Sequence, residues 1–148
     1  MNYNDLKLSN QLCHPLYSAS NALIRSYAPF LNQLDLTFPQ YLIMMALWEK
    51  DSVAIKHLIE VTYFDSGTLT PILQRLKEKS LILIKKDKED QRVKIIELSK
   101  KGLRLKDEAK VIPAKMFCLL DFDEGEIDLL KKLTQRLRSN LVAATSDT

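Results

Sequence analysis

The sequence predicts a mainly α-helical fold with one small β-hairpin, and three observations support this prediction. Apolar residues recur at steps of three and four over residues 12–31, which is the period of a long helix. Two short helical stretches, residues 55–63 and 68–79, meet at a tight turn that contains glycine. Two runs rich in β-branched residues then flank a charged loop, as in a hairpin.

The composition is that of one ordinary globular domain. The chain has 148 residues, 46% of them hydrophobic and 28% charged, with only 3 Gly and 5 Pro, which excludes collagen and low-complexity disorder. No apolar run approaches the ~18 residues of a membrane span. The first ten residues have neither the basic start nor the apolar stretch of a signal peptide, so we expect a cytoplasmic protein.

Positive charge is concentrated in the middle third of the chain. Residues 65–110 hold 13 Lys and Arg against 8 Asp and Glu, a balance of +5, whereas residues 1–64 and 111–148 each have a balance of −1. An excess of this size indicates an anionic partner for that stretch. A solvated charged surface is the alternative explanation.

Prolines delimit the first two helices. Pro15 must lie near the start of the first helix and Pro29 near its end, since a proline inside a helix removes a hydrogen bond. The next helix begins at Thr37-Phe38-Pro39, with Pro39 in the first helical position. Apolar residues on most of its sides predict that this second helix is central and buried.

A helix-turn-helix and a hairpin follow. Asp65-Ser66-Gly67 form both the turn and the cap of a helix over residues 68–79, which occupies the recognition position. The strands of the hairpin are residues 81–86 and 92–98. A hairpin directly after a helix-turn-helix is a wing. The buried stripe of the recognition helix consists of Leu69, Ile72, Leu73 and Leu76.

Long helices complete the chain. Ser99 caps a helix that runs to about residue 120 with a kink at Pro113. Asp123 caps the last helix, whose polar tail frays after Ala144. One face of this last helix carries Ile127, Leu130, Leu133, Leu137 and Leu141.

The whole of residues 1–148 is therefore predicted to be one protomer, with a winged helix-turn-helix over about residues 35–98. Long helices flank it, over about residues 8–34 and 99–144. These helices are too apolar on one face for so small a domain to cover. We expect them to be dimerisation helices that pack against a second copy of the chain.

These residues resemble the MarR family of winged-helix regulators. The wing contains an acidic-x-Arg pattern, Asp90-Gln91-Arg92, and leads into the strand-to-helix segment Glu97-Leu98-Ser99-Lys100-Lys101-Gly102. Three further motifs are similar to the organic-hydroperoxide-sensing branch of that family, called OhrR: Gln11-Leu12-Cys13, Thr37-Phe38-Pro39-Gln40-Tyr41 and Asp65-Ser66-Gly67-Thr68-Leu69-Thr70-Pro71. The similarity extends from about residue 8 to residue 113, and the last motif is the most specific.

The resemblance implies a homodimeric repressor that binds a pseudo-palindromic double-stranded DNA operator while it is reduced. An organic hydroperoxide then oxidises Cys13 to a sulfenic acid and on to a disulfide, which releases the DNA. In one branch a second cysteine resolves the sulfenic acid across the dimer, and Cys118 lies in that segment here. The branch usually has two tyrosines that form hydrogen bonds to the oxidised sulfur. Tyr27 matches the first of them, and Phe38, which has no hydroxyl, replaces the second.

The sequence around each of the two cysteines also indicates its possible roles. Cys13 falls at the first turn of a helix, where a thiolate is favoured. The Tyr17 and Tyr27 hydroxyls are candidate donors to it, from the same helix or from its packing partner. The alternative for Cys13 is an inert buried thiol, a common state of free cysteine. Cys118 follows an apolar patch, so a core position and a resolving role both stay open for it.

The predicted DNA contacts lie on the recognition helix and the wing. Opposite its buried stripe the helix presents Ser66, Thr68, Thr70, Pro71, Gln74, Arg75 and Lys77. Gln74 suits an adenine edge, and Arg75 suits a guanine or a phosphate. In the wing, Arg92 is expected to enter the minor groove while Asp90 holds its side chain. Phosphate contacts are expected from Lys85, Lys86, Lys88 and Lys94, each of which is equally explained as an ordinary surface lysine.

Other functions stay open at this point. A MarR-type repressor released by a small aromatic or anionic ligand needs no thiol chemistry, and a pure protein-interaction module needs no DNA. A thiol peroxidase is disfavoured because no redoxin-like βαβ pattern surrounds Cys13, so we expect no enzyme. His14 and His57 with the two cysteines are four scattered candidate ligands, a weak pattern for zinc, and we expect no metal and no cofactor.

Overall fold

The computed structural model describes residues 3–146 and confirms the predicted fold class. Two short 3₁₀ turns, Tyr3–Leu6 and Leu8–Asn10, precede the first α-helix. Within the described residues the elements are α1 (Cys13–Gln33), α2 (Phe38–Glu49), β1 (Val53–Ala54), α3 (Ile55–Thr62), α4 (Ser66–Glu78), β2 (Ile82–Lys86), β3 (Lys94–Leu98), α5 (Lys100–Ala109), α6 (Ile112–Leu120) and α7 (Glu124–Ser146). The chain divides into two compact units, the first ending at Val111 and the second beginning at Ile112.

The first two helices follow the proline pattern closely. Pro15 is the third residue of α1, where no backbone donor is needed. Pro29 lies inside α1, which continues to Gln33. Pro39 is the second residue of α2 rather than the first, because the helix already begins at Phe38. As predicted, α2 is central, and its buried side chains are Gln40, Tyr41, Ile43, Met44 and Leu47.

The helix-turn-helix is formed by α3 and α4, with one correction at its turn. The left-handed residue of the turn is Tyr63 (φ 60°), which ends α3. Gly67 was predicted to lie in the turn, but Asp65 is the N-cap of α4 and therefore places Gly67 within its first turn. The predicted stripe is confirmed for the buried Leu69, Leu73 and Leu76, and Ile72 is half-buried.

The predicted wing is the antiparallel pair β2–β3, in a register that runs from Ile82 opposite Leu98 to Lys86 opposite Lys94. The sequence did not indicate a third strand. Val53 and Ala54 of β1 pair with the far edge of β3, and the Leu98 N–H donates to Asp51 Oδ1 at 2.8 Å. A two-residue strand is too short to show an alternating pattern, so only the tertiary contact reveals it.

One predicted helix is in fact two. We expected a single kinked helix from Lys100 to about residue 120, but α5 ends at Ala109 and α6 starts at Ile112. Pro113 has no N–H to donate and its ring clashes with the carbonyl four residues earlier, so the helix ends before it. The predicted cap of α5 is confirmed, because the Gly102 N–H donates to Ser99 Oγ at 3.0 Å.

In the second unit, α7 begins with a reciprocal cap. The Glu126 N–H donates to Asp123 Oδ1 at 2.8 Å, and the Asp123 N–H donates to Glu126 Oε2 at 2.9 Å. The tail was predicted to fray after Ala144; α7 continues to Ser146, and the last two residues lie outside the described part. Across residues 3–146, no helix has both the length and the apolar character that a bilayer crossing requires.

Gly102 joins α5 to the rest of the first unit. It is buried, and its carbonyl accepts a hydrogen bond from Trp48 Nε1 at 2.9 Å. A Cβ atom on Gly102 would lie 2.1 Å from the backbone carbonyl oxygen of Leu81, far inside van der Waals contact. Relief of that clash requires backbone movement, because the contacted atom is not the end of a flexible side chain.

We therefore expect Gly102→Ala to lower the free energy of unfolding by about 1–3 kcal/mol, the usual cost of overpacking. Urea unfolding at a fixed protein concentration measures the change. The matched control is Gly125→Ala in α7, where the added Cβ meets only the Asp123 side chain at 3.2 Å. That change should stay below about 1 kcal/mol. Equal stability of the two variants would show that α5 is not held at Gly102.

Candidate DNA-binding surface and sensor cysteine

The recognition helix α4 presents one polar face to solvent. Its N-cap is fixed by the Thr68 N–H, which donates to Asp65 Oδ1 at 2.7 Å, and by the Thr68 hydroxyl, which donates to Asp65 Oδ2 at 2.8 Å. These bonds hold the pKa of the Asp65 carboxyl below its usual value of 3.8. All seven predicted contact residues are exposed, namely Ser66, Thr68, Thr70, Pro71, Gln74, Arg75 and Lys77.

The side chains on this face differ in how free they are to bind a ligand. The Thr70 hydroxyl donates to the Ser66 carbonyl at 2.8 Å, and Gln74 Nε2 donates to Glu78 Oε1 at 3.2 Å. Gln74 must therefore exchange Glu78 for any base that it contacts. Within residues 3–146, the Arg75 guanidinium has no hydrogen-bond or ion-pair partner. Arg75 is therefore free to donate without first giving up a partner, and within the same residues this also holds for the exposed Lys77 ammonium.

The wing tip is organised by two aspartates. Asp87 Oδ1 accepts the backbone N–H groups of Glu89 (2.9 Å) and Asp90 (3.0 Å), which lowers the pKa of the Asp87 carboxyl. Asp90 Oδ1 accepts from both the backbone N–H of Arg92 (3.0 Å) and its Nε (3.2 Å). The Arg92 side chain is nevertheless 92% exposed. Asp90 thus orients Arg92, as predicted from the sequence, and leaves its guanidinium in solvent.

The lysines of the wing divide into two groups. Lys85 forms an ion pair with Glu97 on the neighbouring strand, and this partner holds the pKa of the Glu97 carboxyl below its usual range. The charge of Lys85 is therefore neutralised within the sheet. Lys86, Lys88 and Lys94 are exposed. These three side chains are free to meet an anionic ligand.

Cys13 is the first residue of α1 and is exposed to solvent. The alternative of an inert core thiol is therefore wrong for Cys13 in this chain. The 3₁₀ turns in front of it are held by local bonds, among them Asn10 Nδ2 donating to the Asn4 carbonyl at 2.9 Å.

In the first unit an aromatic cluster adjoins the same helix. Tyr27 of α1 lies against Phe38 of α2, with ring centroids 5.1 Å apart, and against Tyr41 at 5.9 Å. Tyr41 in turn contacts Trp48 at 6.2 Å. Burial raises the pKa of Tyr27, so its hydroxyl stays protonated and able to donate at neutral pH. The sequence did not indicate Tyr41 and Trp48 as members of this cluster, although their seven-residue spacing places both on one face of α2.

Tyr17 and the two histidines do not join this cluster. Tyr17 is 71% exposed, although it was predicted to lie in the sensor pocket with Tyr27 and Phe38. His14 is exposed and His57 is half-buried. In the described part of the chain, no three side chains of His, Cys, Asp or Glu lie close enough together to hold a metal ion.

Cys118 belongs to the second unit. It lies in α6 and is exposed, which contradicts the core position considered for it. It lines a shallow cleft together with Phe117, Asp121, Phe122 and Asp123. Both cysteines of the chain are therefore accessible thiols.

Comparison with known proteins identifies relatives of the whole chain. The family model described as Transcriptional regulator SarA/Rot matches residues 25–109. The organic hydroperoxide resistance transcriptional regulator of Bacillus subtilis (strain 168) is 37% identical over 139 residues, covering 94% of this chain and 95% of that protein.

Solved structures of AbfR, a protein of Staphylococcus epidermidis, have the same fold. Reduced AbfR bound to DNA matches with a TM-score of 0.81 at 26% identity, over 97% of this chain and 98% of the other. Overoxidised AbfR bound to DNA matches with a TM-score of 0.76 at 29% identity, over 94% and 98%. Disulfide-formed AbfR matches with a TM-score of 0.64 at 25% identity, over 90% and 95%.

The lowered pKa of Asp65 predicts a pH dependence of stability. The carboxylate cap contributes fully above the unfolded pKa of 3.8 and is lost as the pH falls through the lower folded pKa. Asp65→Asn keeps a capping oxygen and removes the titration. Wild type should therefore exceed this variant in thermal midpoint above pH 3.8, with the difference vanishing in stronger acid. A difference that is constant with pH would contradict a charged cap.

Proposed function

This chain belongs to the SarA/Rot family of transcriptional regulators, which have a MarR-like winged-helix fold, and on that premise we propose that it is a thiol-based repressor. It is a DNA-binding regulator and not an enzyme. In the proposed mechanism the reduced homodimer binds its operator, and an organic hydroperoxide releases it by oxidising Cys13. The observation that carries the proposal is the exposed Cys13 thiol at the N-terminus of α1, in a chain with a helix-turn-helix and wing.

Uncovered apolar side chains support the dimer. Leu12, the residue before α1, and Tyr17, Leu23 and Ile24 within it are exposed. On α7, the exposed apolar residues are Leu129, Leu130, Leu133, Leu141 and Val142. Each such side chain contributes about 1.5–3 kcal/mol when it is fully buried, so a second copy that covers these faces gains considerable stability. A two-fold dimer carries two recognition helices and reads a pseudo-palindrome with half-sites ~10 bp apart.

The exposed faces of α4 and the wing support the mode of DNA binding. The proposal places α4 in the major groove, with Arg75 and Gln74 at base edges and the hydroxyls of its first turn near phosphates. Arg92 enters the adjacent minor groove from the wing. Lys86 and Lys88 contact phosphates and add affinity that falls with salt.

The proposed chemistry begins at the Cys13 thiolate. Its sulfur attacks the terminal oxygen of the hydroperoxide, the O–O bond breaks, and the alkoxide leaves as an alcohol after taking a proton. Cys13 becomes a sulfenic acid. Tyr27 lies 14 residues farther along α1, about 21 Å away, so its protonated hydroxyl is a candidate donor to this sulfur only from the second subunit. The Cys118 thiolate of the second subunit then attacks this sulfur, expels hydroxide that is protonated to water, and forms a disulfide.

Disulfide geometry makes this reaction a switch. The two Cα atoms of a disulfide lie within about 7 Å, so cysteines that are farther apart in the reduced dimer must approach each other by backbone movement. Such movement shifts the two recognition helices relative to the two half-sites. The relatives support this choice of product, since AbfR is seen on DNA in its reduced and overoxidised forms and has a separate disulfide form.

DNA contacts can be tested by substitution in the reduced protein. Arg75→Ala and Arg92→Ala should each weaken operator binding by about 1–3 kcal/mol if the residue reads a base, and should relax the preference at that position. Lys86→Ala should weaken binding to operator and scrambled DNA alike and lower the salt slope by about one. Lys132→Ala, an exposed lysine of α7, is the matched control and should bind as wild type. Arginine variants that behave like Lys132→Ala would remove α4 and the wing from the interface.

The thiol switch is tested by fluorescence anisotropy on DNA from upstream of the gene. Reduced wild type should bind, lose binding after one equivalent of organic hydroperoxide, and recover with dithiothreitol. Cys13→Ser should bind normally and ignore the peroxide. Cys118→Ser should form a sulfenic acid but no disulfide-linked dimer on a non-reducing gel.

Two outcomes would contradict the proposal. Peroxide release of the Cys13→Ser variant would show that another group is the sensor. Release of wild type by a small aromatic or anionic compound with both thiols reduced would favour the ligand-controlled alternative. The limit of one equivalent matters because a relative, AbfR, is seen bound to DNA in its overoxidised form.

A further inference from the structure

A buried polar contact sits where α2 begins. Gln40 is only 3% exposed and is the only buried polar residue among those that the structure describes. Its Oε1 accepts two hydrogen bonds, one from the Thr37 N–H at 3.1 Å and one from Lys79 Nζ at 3.2 Å. The first bond caps α2, and the second reaches the end of α4. Loss of the ammonium would leave a buried oxygen half-satisfied, which is costly.

All three N–H donors of the Lys79 ammonium have acceptors within reach. Besides Gln40, Nζ forms an ion pair with Asp35 Oδ1 at 3.1 Å and donates to the Asp35 backbone carbonyl. An ammonium has three N–H donors, and three acceptors surround it. Only 26% of the Lys79 side chain is exposed, whereas 84% of the Asp35 side chain is exposed, so the ion pair lies at the surface and the buried bond of the ammonium is the one to Gln40. Asp35 itself adopts a left-handed conformation, with φ 52°.

Lys79 also joins α4 to the helix on its other side. It is the C-terminal cap residue of α4, and its N–H donates to the Arg75 carbonyl at 3.0 Å. Its own carbonyl accepts from Lys101 Nζ of α5 at 2.9 Å. The position of Lys79 therefore sets where α4 ends, one turn beyond the proposed base-reading Arg75.

The aromatic pocket lies at the other end of this connection. Phe38, whose ring contacts Tyr27, is the first residue of α2, and Gln40 follows in the same helical turn. A rearrangement of the pocket that shifts the first turn of α2 must also move Gln40 Oε1. The contact of Gln40 with Lys79 can bias the equilibrium between the DNA-binding and the released state only if its hydrogen bonds differ between those two states.

We infer that Lys79 is a positioning residue that couples the Tyr27–Phe38 pocket to the recognition helix. In the reduced state its bonds to Asp35 and Gln40 hold α4 in the DNA-binding position. Oxidation at Cys13 of one subunit alters the pocket of the other, because Tyr27 of the same subunit lies 14 residues, about 21 Å, farther along α1. The same bonds then transmit the shift of α2 to α4. This inference rests on the proposed function and names the residues through which the sensor acts.

The test compares operator dissociation constants of each variant before and after one equivalent of organic hydroperoxide. Lys79→Met keeps the aliphatic stem and removes all three bonds. Asp35→Asn removes only the ion pair, and asparagine tolerates the left-handed conformation, so this variant remains informative if Lys79→Met does not fold. The matched control is Lys110→Met, which removes an exposed lysine paired with Asp107 at 4.0 Å.

The quantity that decides is the ratio of the oxidised to the reduced dissociation constant. A purely structural lysine changes both constants alike and leaves the ratio unchanged. We expect the ratio to fall by between about twofold and thirtyfold in Lys79→Met, by less in Asp35→Asn, and not at all in Lys110→Met. A wild-type ratio in both Lys79→Met and Asp35→Asn would overturn the inference. Failure of wild type itself to respond to peroxide would overturn the proposed function, and this inference with it.

Discussion

The packing of α4 against α2 is the constraint on which the DNA-binding surface depends. Three leucines of α4 are buried, and a helix with one buried stripe must turn its opposite side to solvent. Rotation of α4 about its axis would expose those leucines, at about 1.5–3 kcal/mol each. The ends of the helix are fixed separately, by the Asp65 cap and by the bonds of Lys79. The outward face that includes Arg75 is therefore set by apolar packing, although it is polar itself.

How far the sequence predicts this structure depends on the length of each pattern. The helices α1, α2 and α4 and the pair β2–β3 have enough residues to show their period, and their prediction is confirmed to within a few residues. Strand β1 is two residues long and is defined only by its partner β3. Pro113 predicts that the helix is disturbed, but a kink and a complete break have the same sequence pattern. In the structure the helix is broken, into α5 and α6.

The residues of the candidate sites also differ in how far the sequence predicts their positions and contacts. The helical period predicts which residues of α4 face outward, and the contact of Asp90 with Arg92 is expected from the acidic-x-Arg pattern by which the wing resembles the MarR family. Exposure of Cys13 and Cys118 could not be deduced, since neighbouring residues allow a core or a surface position for either thiol. The buried contact of Gln40 with Lys79 joins residues 39 positions apart, and no local sequence pattern indicates it.

The positive balance of residues 65–110 has a different meaning once the contacts are known. Of the 13 basic residues in that stretch, Arg92 and Lys110 pair with carboxylates close to them in sequence. Lys79 and Lys85 pair with carboxylates distant in sequence, while Lys101 and Lys106 donate to the backbone carbonyls of Lys79 and Trp48. These four lysines join helices and strands of the first unit to one another. The charge available to an anionic ligand is thus confined to α4, the wing and the exposed side of α5, so the balance in the sequence overstates the DNA-binding footprint. Salt sensitivity of binding reports the phosphate contacts made by the remaining residues, because only cations that reach phosphates release counterions.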